Sequence, residues 1–178
     1  YTSDAYYDTV NSSNKLGIYL TYKIALRNES TYNGKINSIV DYCDNRMSLI
    51  SVGTSIDGNT YMSSSDIVSE TNRGNVASES AYNEYTKYVI NVDSYVNSGE
   101  TKYIYLQFKV NEKGVLALVN SKENNGTILM NNVVEINSYT TFKDGTTNPL
   151  AVLDIDSVPG NAIPGNVNSY EDDTDAAR

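Results

Sequence analysis

IYLTYKIAL, residues 18–26, alternates without a break between apolar and mixed positions. Residues two apart on a strand share a face, so Ile18, Leu20, Tyr22, Ile24 and Leu26 form one side. Tyr19, Thr21, Lys23 and Ala25 form the other. A helix would need apolar residues three and four apart, which this stretch lacks, so it reads as a core strand with one face buried. TKYIYLQFKV at 101–110 repeats the pattern, with Ile104, Leu106, Phe108 and Val110 inward and Tyr103 and Tyr105 outward.

Outward from these two strands the chain keeps one rhythm of strand and turn. NESTYNG follows the first as a turn, KINSIVDYC (35–43) is a second strand, and MSLISV (47–52) is a third after a break at Asp44-Asn45. TKYVINV (86–92) and ILMNNVVEINSYTTF (128–142) add two more, and NSGE before Thr101 is a turn. The first fourteen residues read as an edge strand or an ordered arm. Gly, Asn, Ser and Asp dominate residues 53–84, which predicts a hairpin around Asp57-Gly58 and a long loop. GVLALVNSK (114–122) is the one helical turn predicted. Seven or eight strands without crossover helices predict an all-β fold, an antiparallel immunoglobulin-like β-sandwich with an acidic C-terminal extension.

A composition break after Val152 divides the chain into a sandwich at 1–153 and an acidic Pro/Gly/Asn-containing linker or calcium-binding junction at 154–178. The second segment holds six of the 22 acidic residues, one of the 13 basic ones and two of the three prolines.

Composition excludes much chemistry. With no histidine there is no Ser-His-Asp or Cys-His nucleophile and no imidazole-held zinc. The protein is expected not to be an enzyme; a glycosidase using two carboxylates alone would be the remaining catalytic option, and no such pair stands out. A net charge of −9 argues against nucleic acid and anionic membrane surfaces as partners and favours calcium or a basic partner. Cys43, the one cysteine, reads as a small buried residue. No apolar run approaches the ~20 residues of a membrane-spanning helix, and the chain, opening on Tyr1, reads as a mature or excised product.

LTYKIALRNESTYNGKINSIVDYCDNRMSLISV, about a fifth of the chain, resembles the repeat domains of Gram-positive bacterial cell-surface proteins, in the isopeptide-forming immunoglobulin-like adhesin class. In those domains a strand ending Tyr-x-Ile-x-hydrophobic-x-Asn leads to a strand ending in Asp. NNVVEINSY resembles their closing strand, and DIDSVPGN followed by EDDTDAA resembles their acidic junction with the next repeat. Tyr42-Cys43-Asp44-Asn45 stands where the usual pattern has Leu-Pro-x-Gly, which points to a clostridial or bacillus-type branch. The resemblance implies an extracellular, cell-surface stalk, spacer or fibre subunit whose partners are neighbouring repeat domains or identical subunits.

Two constellations follow. Asp154, Asp156, Ser157 and Asn161 alternate hard oxygens across a Pro-Gly turn, and Glu171, Asp172, Asp173 and Asp175 return acidic oxygens to the same segment. Together they offer a calcium shell of about six to eight oxygens; a solvated acidic linker is the simpler reading of the same residues. The second is the isopeptide crosslink that the resemblance implies. A buried Lys attacks an Asn amide while a buried carboxyl manages the proton, and desolvation brings both pKa values toward neutrality. Lys23, Asp41 and either Asn132 or Asn137 occur in a compatible order. Parity sets Lys23 outward unless a bulge intervenes, and gives Asn132 the parity of Val134 and Ile136; a Lys upstream of this chain is the alternative. As a rival function, Tyr19, Tyr103 and Tyr105 on an outer sheet face would suit an adhesin domain binding a carbohydrate or a host protein. The sequons at Asn11, Asn28 and Asn125 read as chance.

Overall fold

β-branched and aromatic residues at every second position fill the strands of the computed structural model, which describes residues 4–9, 16–54, 67–72, 85–121, 128–143, 145–150 and 174–177. In chain order these are β1 (Asp4–Thr9), β2 (Leu16–Arg27), β3 (Gly34–Asp44), β4 (Met47–Gly53), β5 (Ile67–Asn72), β6 (Tyr85–Val96), β7 (Thr101–Val110), α1 (Glu112–Asn120), β8 (Asn132–Phe142), β9 (Pro149–Leu150) and β10 (Thr174–Ala177). One sheet runs β1-β2-β7-β4; the larger runs β10-β8-β3-β6-β5, with β9 also on β8. Every pairing is antiparallel. This is the two-sheet antiparallel sandwich that the alternation predicts.

The inner faces meet in one core: Tyr22, Ile24 and Leu26 from β2, Ile104, Leu106 and Phe108 from β7, Ile39 and Cys43 from β3, and Ile90 from β6. Tyr22 and Tyr88 both meet the Phe108 ring edge-on. A second, smaller cluster of Val40, Tyr42 and Val133 buries part of the larger sheet's other face.

Simple alternation along β3 is interrupted. Ile36 and Ile39 both belong to the core although they lie three apart, because the registers to β6 and β8 shift between Ile36 and Ser38. Side-chain hydrogen bonds hold the irregularity: Asn37 Nδ2 donates to Thr140 Oγ1 (3.0 Å), Asn137 Nδ2 donates to Ser38 Oγ (2.9 Å), and the hydroxyls of Ser38 and Ser138 lie 2.7 Å apart. On β6, Asp93 takes a left-handed φ of 44°, a conformation that Asp tolerates better than most residues. Its carboxylate pairs with Lys35 at 2.5 Å.

The corner between β3 and β4 carries the chain from one sheet to the other. Asp44 accepts from Arg46 N (2.9 Å) and from its guanidinium, and Cys43 Sγ donates to Asp44 O (3.3 Å). Asn111 ties α1 to this corner: Nδ2 donates to Asn45 O (2.7 Å), its backbone N donates to Arg46 O (2.9 Å), and Oδ1 caps the helix at Gly114 N (3.3 Å). The helix therefore starts at Glu112, two residues before the predicted turn.

Three strands lie where sequence reading placed none: the two-residue β9, β5 and β10. β5 falls inside the predicted 53–84 loop and pairs with β6; Ser, Glu, Thr and Asn make it polar enough to read as loop. β10 falls inside the predicted linker and adds to the edge of β8 over Asn132–Glu135, so the sheet draws in residues beyond the boundary at 153. Its Thr-Asp-Ala-Ala sequence has little β-propensity, and the unpaired edge of β8 supplies the pairing groups. The predicted Asp57-Gly58 hairpin lies outside the described residues.

Candidate functional site

β3 and β8 are neighbours, with Asp41 opposite Val134 and Cys43 opposite Asn132. Asp41 shares its parity with Ile39 and Cys43, and Asn132 shares its parity with Val134, so both polar side chains fall on the core side of the sheet. They meet diagonally: Asn132 Nδ2 donates to Asp41 Oδ2 at 2.8 Å. Asp41 is 0% exposed and Asn132 2%. Asp41 Oδ1 and Asn132 Oδ1 are the buried side-chain oxygens without a hydrogen-bond partner among the described residues.

Two buried oxygens without a partner among the described residues disfavour the charged carboxylate and favour the neutral acid, whose proton turns one of them into a donor. Burial pushes the Asp41 carboxyl up to about 8, and the hydrogen bond from Asn132 offsets only part of that. At neutral pH the group therefore holds its proton for a large share of the time. Burial likewise raises the Tyr22 phenol and the Cys43 thiol, with the Asp41 charge adding to both. Cys43 is thus a poor nucleophile, and its thiol also faces Met47 O (3.7 Å). The arrangement places a protonatable carboxyl against a primary amide in a site closed to solvent.

Lys23 does not join them. It faces outward, opposite Tyr105 on β7, with its ammonium 3.8 Å from the centre of the Tyr103 ring. The pairing of β2 with β7 runs in unbroken register from Tyr19 to Arg27, so no bulge turns Lys23 inward. Lys35 is paired with Asp93, Lys102 lies near Glu100, and Lys87 lies over the Tyr42 ring, away from the main core. Asn137 is engaged at the β3 irregularity with Ser38, so Asn132 is the amide that reaches Asp41.

The predicted calcium residues Asp154, Asp156, Ser157, Asn161, Glu171, Asp172 and Asp173 lie outside the described residues, and Asp175 sits on β10 opposite Val134. The tyrosines of the rival adhesin reading take outward positions: Tyr19 is opposite Lys109 and Tyr103 opposite Ala25, with Tyr103 45% exposed. The proton-holding role of Asp41 had one sequence signal, a carboxylate sharing parity with Ile39 and Cys43. Asp44 and Arg46 gave none, because their burial arises at a corner.

No family model matches this chain, and no curated protein or solved structure matches it either.

Proposed function

We propose that the protein is a non-enzymatic structural module of a bacterial surface protein or extracellular filament, a stalk, spacer or fibre subunit, whose core holds the acid and the amide of a lysine–asparagine crosslink. The observation that carries this reading is the buried Asp41–Asn132 pair with its two unsatisfied oxygens. A hydrophobic pair of similar size would serve folding better, so a carboxyl and an amide retained there argue for chemistry between them.

The chemistry needs no histidine. With Asp41 protonated, a half-turn of the Asn132 amide lets the acid donate to the amide oxygen and polarise the carbonyl. A neutral lysine amine then attacks Asn132 Cγ. Asp41 gives its proton to the amide oxygen as the C–N bond forms, takes the proton released by the amine and passes it to the departing nitrogen, which leaves as ammonia, and recovers its own proton from the oxygen as the carbonyl re-forms. One C–N bond forms, one breaks, and Asp41 ends as it began. The product ties two strands across the core, which suits a module that transmits force along a stalk.

The test is the intact mass of the polypeptide together with its neighbouring segments. A mass short of the sequence by one ammonia, with the Asn132 peptide joined to a lysine peptide, supports the reading; the full sequence mass, with Asn132 unlinked, defeats it.

A second reading, an adhesin surface, draws on the outward Tyr103 beneath the Lys23 ammonium, with Lys109 further along the same face. Retention on a glycan or matrix-protein array, lost in Tyr103→Ala, would favour it.

A further inference from the structure

We infer that the outer face of β2 and β7 binds an anionic polysaccharide, a chain of sugar rings bearing carboxylate or sulfate groups. The inference rests on the adhesin reading above and adds the charge of the ligand and the side chains that receive it.

The face is a regular surface. Tyr19 lies opposite Lys109, Thr21 opposite Gln107, Lys23 opposite Tyr105 and Ala25 opposite Tyr103, in one unbroken register. Each lysine has an aromatic residue beside it: Lys109 stands across from Tyr19, and the Lys23 ammonium lies 3.8 Å from the centre of the Tyr103 ring. Both lysines are exposed, and so is Tyr103, at 45%. The two lysines are four residues apart in register, about 14 Å along the strands, so a ligand that touches both is elongated.

Charge is segregated toward this face. β2, β7 and β4 carry four of the 13 basic residues and none of the 22 acidic ones, although the whole chain has a net charge of −9. The strand acids of this sheet are Asp4 and Asp8 on β1, along one edge, and Arg27 is paired with Glu29 at 3.0 Å just beyond β2. Fields are screened over about 10 Å at 0.1 M salt, so a polyanion on this face feels the two lysines beside it more than the acids elsewhere.

The backbone decides which polyanion fits. β2 lies between β1 and β7, and β7 between β2 and β4, so ladder hydrogen bonds already engage the backbone of both strands. An acidic polypeptide laid on this face would find no strand edge to pair with. A sugar needs none. The C–H side of its ring packs on tyrosine, its hydroxyls meet the tyrosine hydroxyls and the Gln107 amide, and its anionic group meets an ammonium.

The experiment passes the 178-residue chain over immobilised polygalacturonate and dextran sulfate, with dextran as the neutral sugar and with poly-L-glutamate and oligothymidylate as anions that are not polysaccharides. Retention is expected on at least one anionic polysaccharide and not on dextran, and it should weaken as salt rises. Tyr103→Ala should weaken it by about tenfold. The Lys23→Gln, Lys109→Gln double variant should weaken it by about as much. Circular dichroism checks that each variant keeps the fold.

Equal retention on dextran overturns the inference and leaves the adhesin reading standing. Equal retention on poly-L-glutamate or oligothymidylate, or retention that Tyr103→Ala leaves unchanged, marks simple ion exchange and also overturns it. Retention on none of these overturns it as well, and the adhesin reading falls with it only when neutral-glycan and matrix-protein arrays are blank too.

Discussion

Asn132 donates to Asp41 across 2.8 Å in the centre of the sandwich, and Asp41 Oδ1 and Asn132 Oδ1 have no hydrogen-bond partner among the described residues. The carboxyl, ordinarily near 3.8, is pushed up to about 8 by burial. Between those values the folded state binds the proton and the unfolded state does not, so stability falls as pH rises through that window. The slope from this group is about 1.4 kcal/mol per pH unit. Asp41→Asn removes the titration. It should be more stable than the wild type at pH 8, by a margin that shrinks toward pH 4. Thermal unfolding of both proteins across that range checks this, and parallel curves would contradict it.

Asp44 and Arg46 form an ion pair whose side chains are 5% and 6% exposed, and Arg46 also donates to Leu129 O. Removing one partner leaves the other charged and buried, so Asp44→Ala or Arg46→Ala should cost about 3–5 kcal/mol in urea denaturation. The Asp44→Ala, Arg46→Met double variant should lose clearly less than the two single losses combined.

Gly114 sits in the first turn of α1, where alanine is ordinarily the better helix former. A Cβ there would lie 2.7 Å from Arg46 O and 2.5 Å from Val110 Cγ1. The first is backbone and cannot swing away. Gly114→Ala should therefore destabilise by about 1–3 kcal/mol, against the helix-propensity trend. A gain in the denaturation midpoint would show that the helix can lift off the β3–β4 corner.

Asn28 organises the turn after β2. Its amide donates to Tyr32 O (2.8 Å) and Val96 O (2.9 Å), and Oδ1 accepts from Ser30 N (3.0 Å) and Ser30 Oγ (2.8 Å). Asn28→Ala should lower stability by about 1–3 kcal/mol. The Asn28-Glu29-Ser30 sequon should stay unmodified in the folded protein, because a glycan would displace both donor contacts. Mass spectrometry after expression in a glycosylating host reads this directly.

Truncation after Leu150 removes β10 and uncovers the edge of β8 at Asn132–Glu135. The shortened chain should unfold at a lower temperature. If the acidic segment also holds calcium, the ion should raise the midpoint of the full chain and leave that of the truncated one unchanged.

IYLTYKIAL and TKYIYLQFKV determined the fold class by themselves. Strict alternation has one low-energy solution, a sheet with one face in a core, and it correctly set Lys23 outward and Asn132 inward before any contact was known. Strands carried by side-chain pattern were therefore legible, whereas β5 and β10 were not, because backbone groups at an open sheet edge recruit polar segments that carry no periodic signal. Along β3 the rule of alternation itself gives way at Asn37 and Ser38, where a register shift lets both Ile36 and Ile39 reach the core. The pairing of Asp41 with Asn132 rather than Asn137 belonged to the tertiary structure alone. It depends on which residues of two strands distant in sequence come opposite each other, and that register is settled by packing of the sheets and by the irregularities between them.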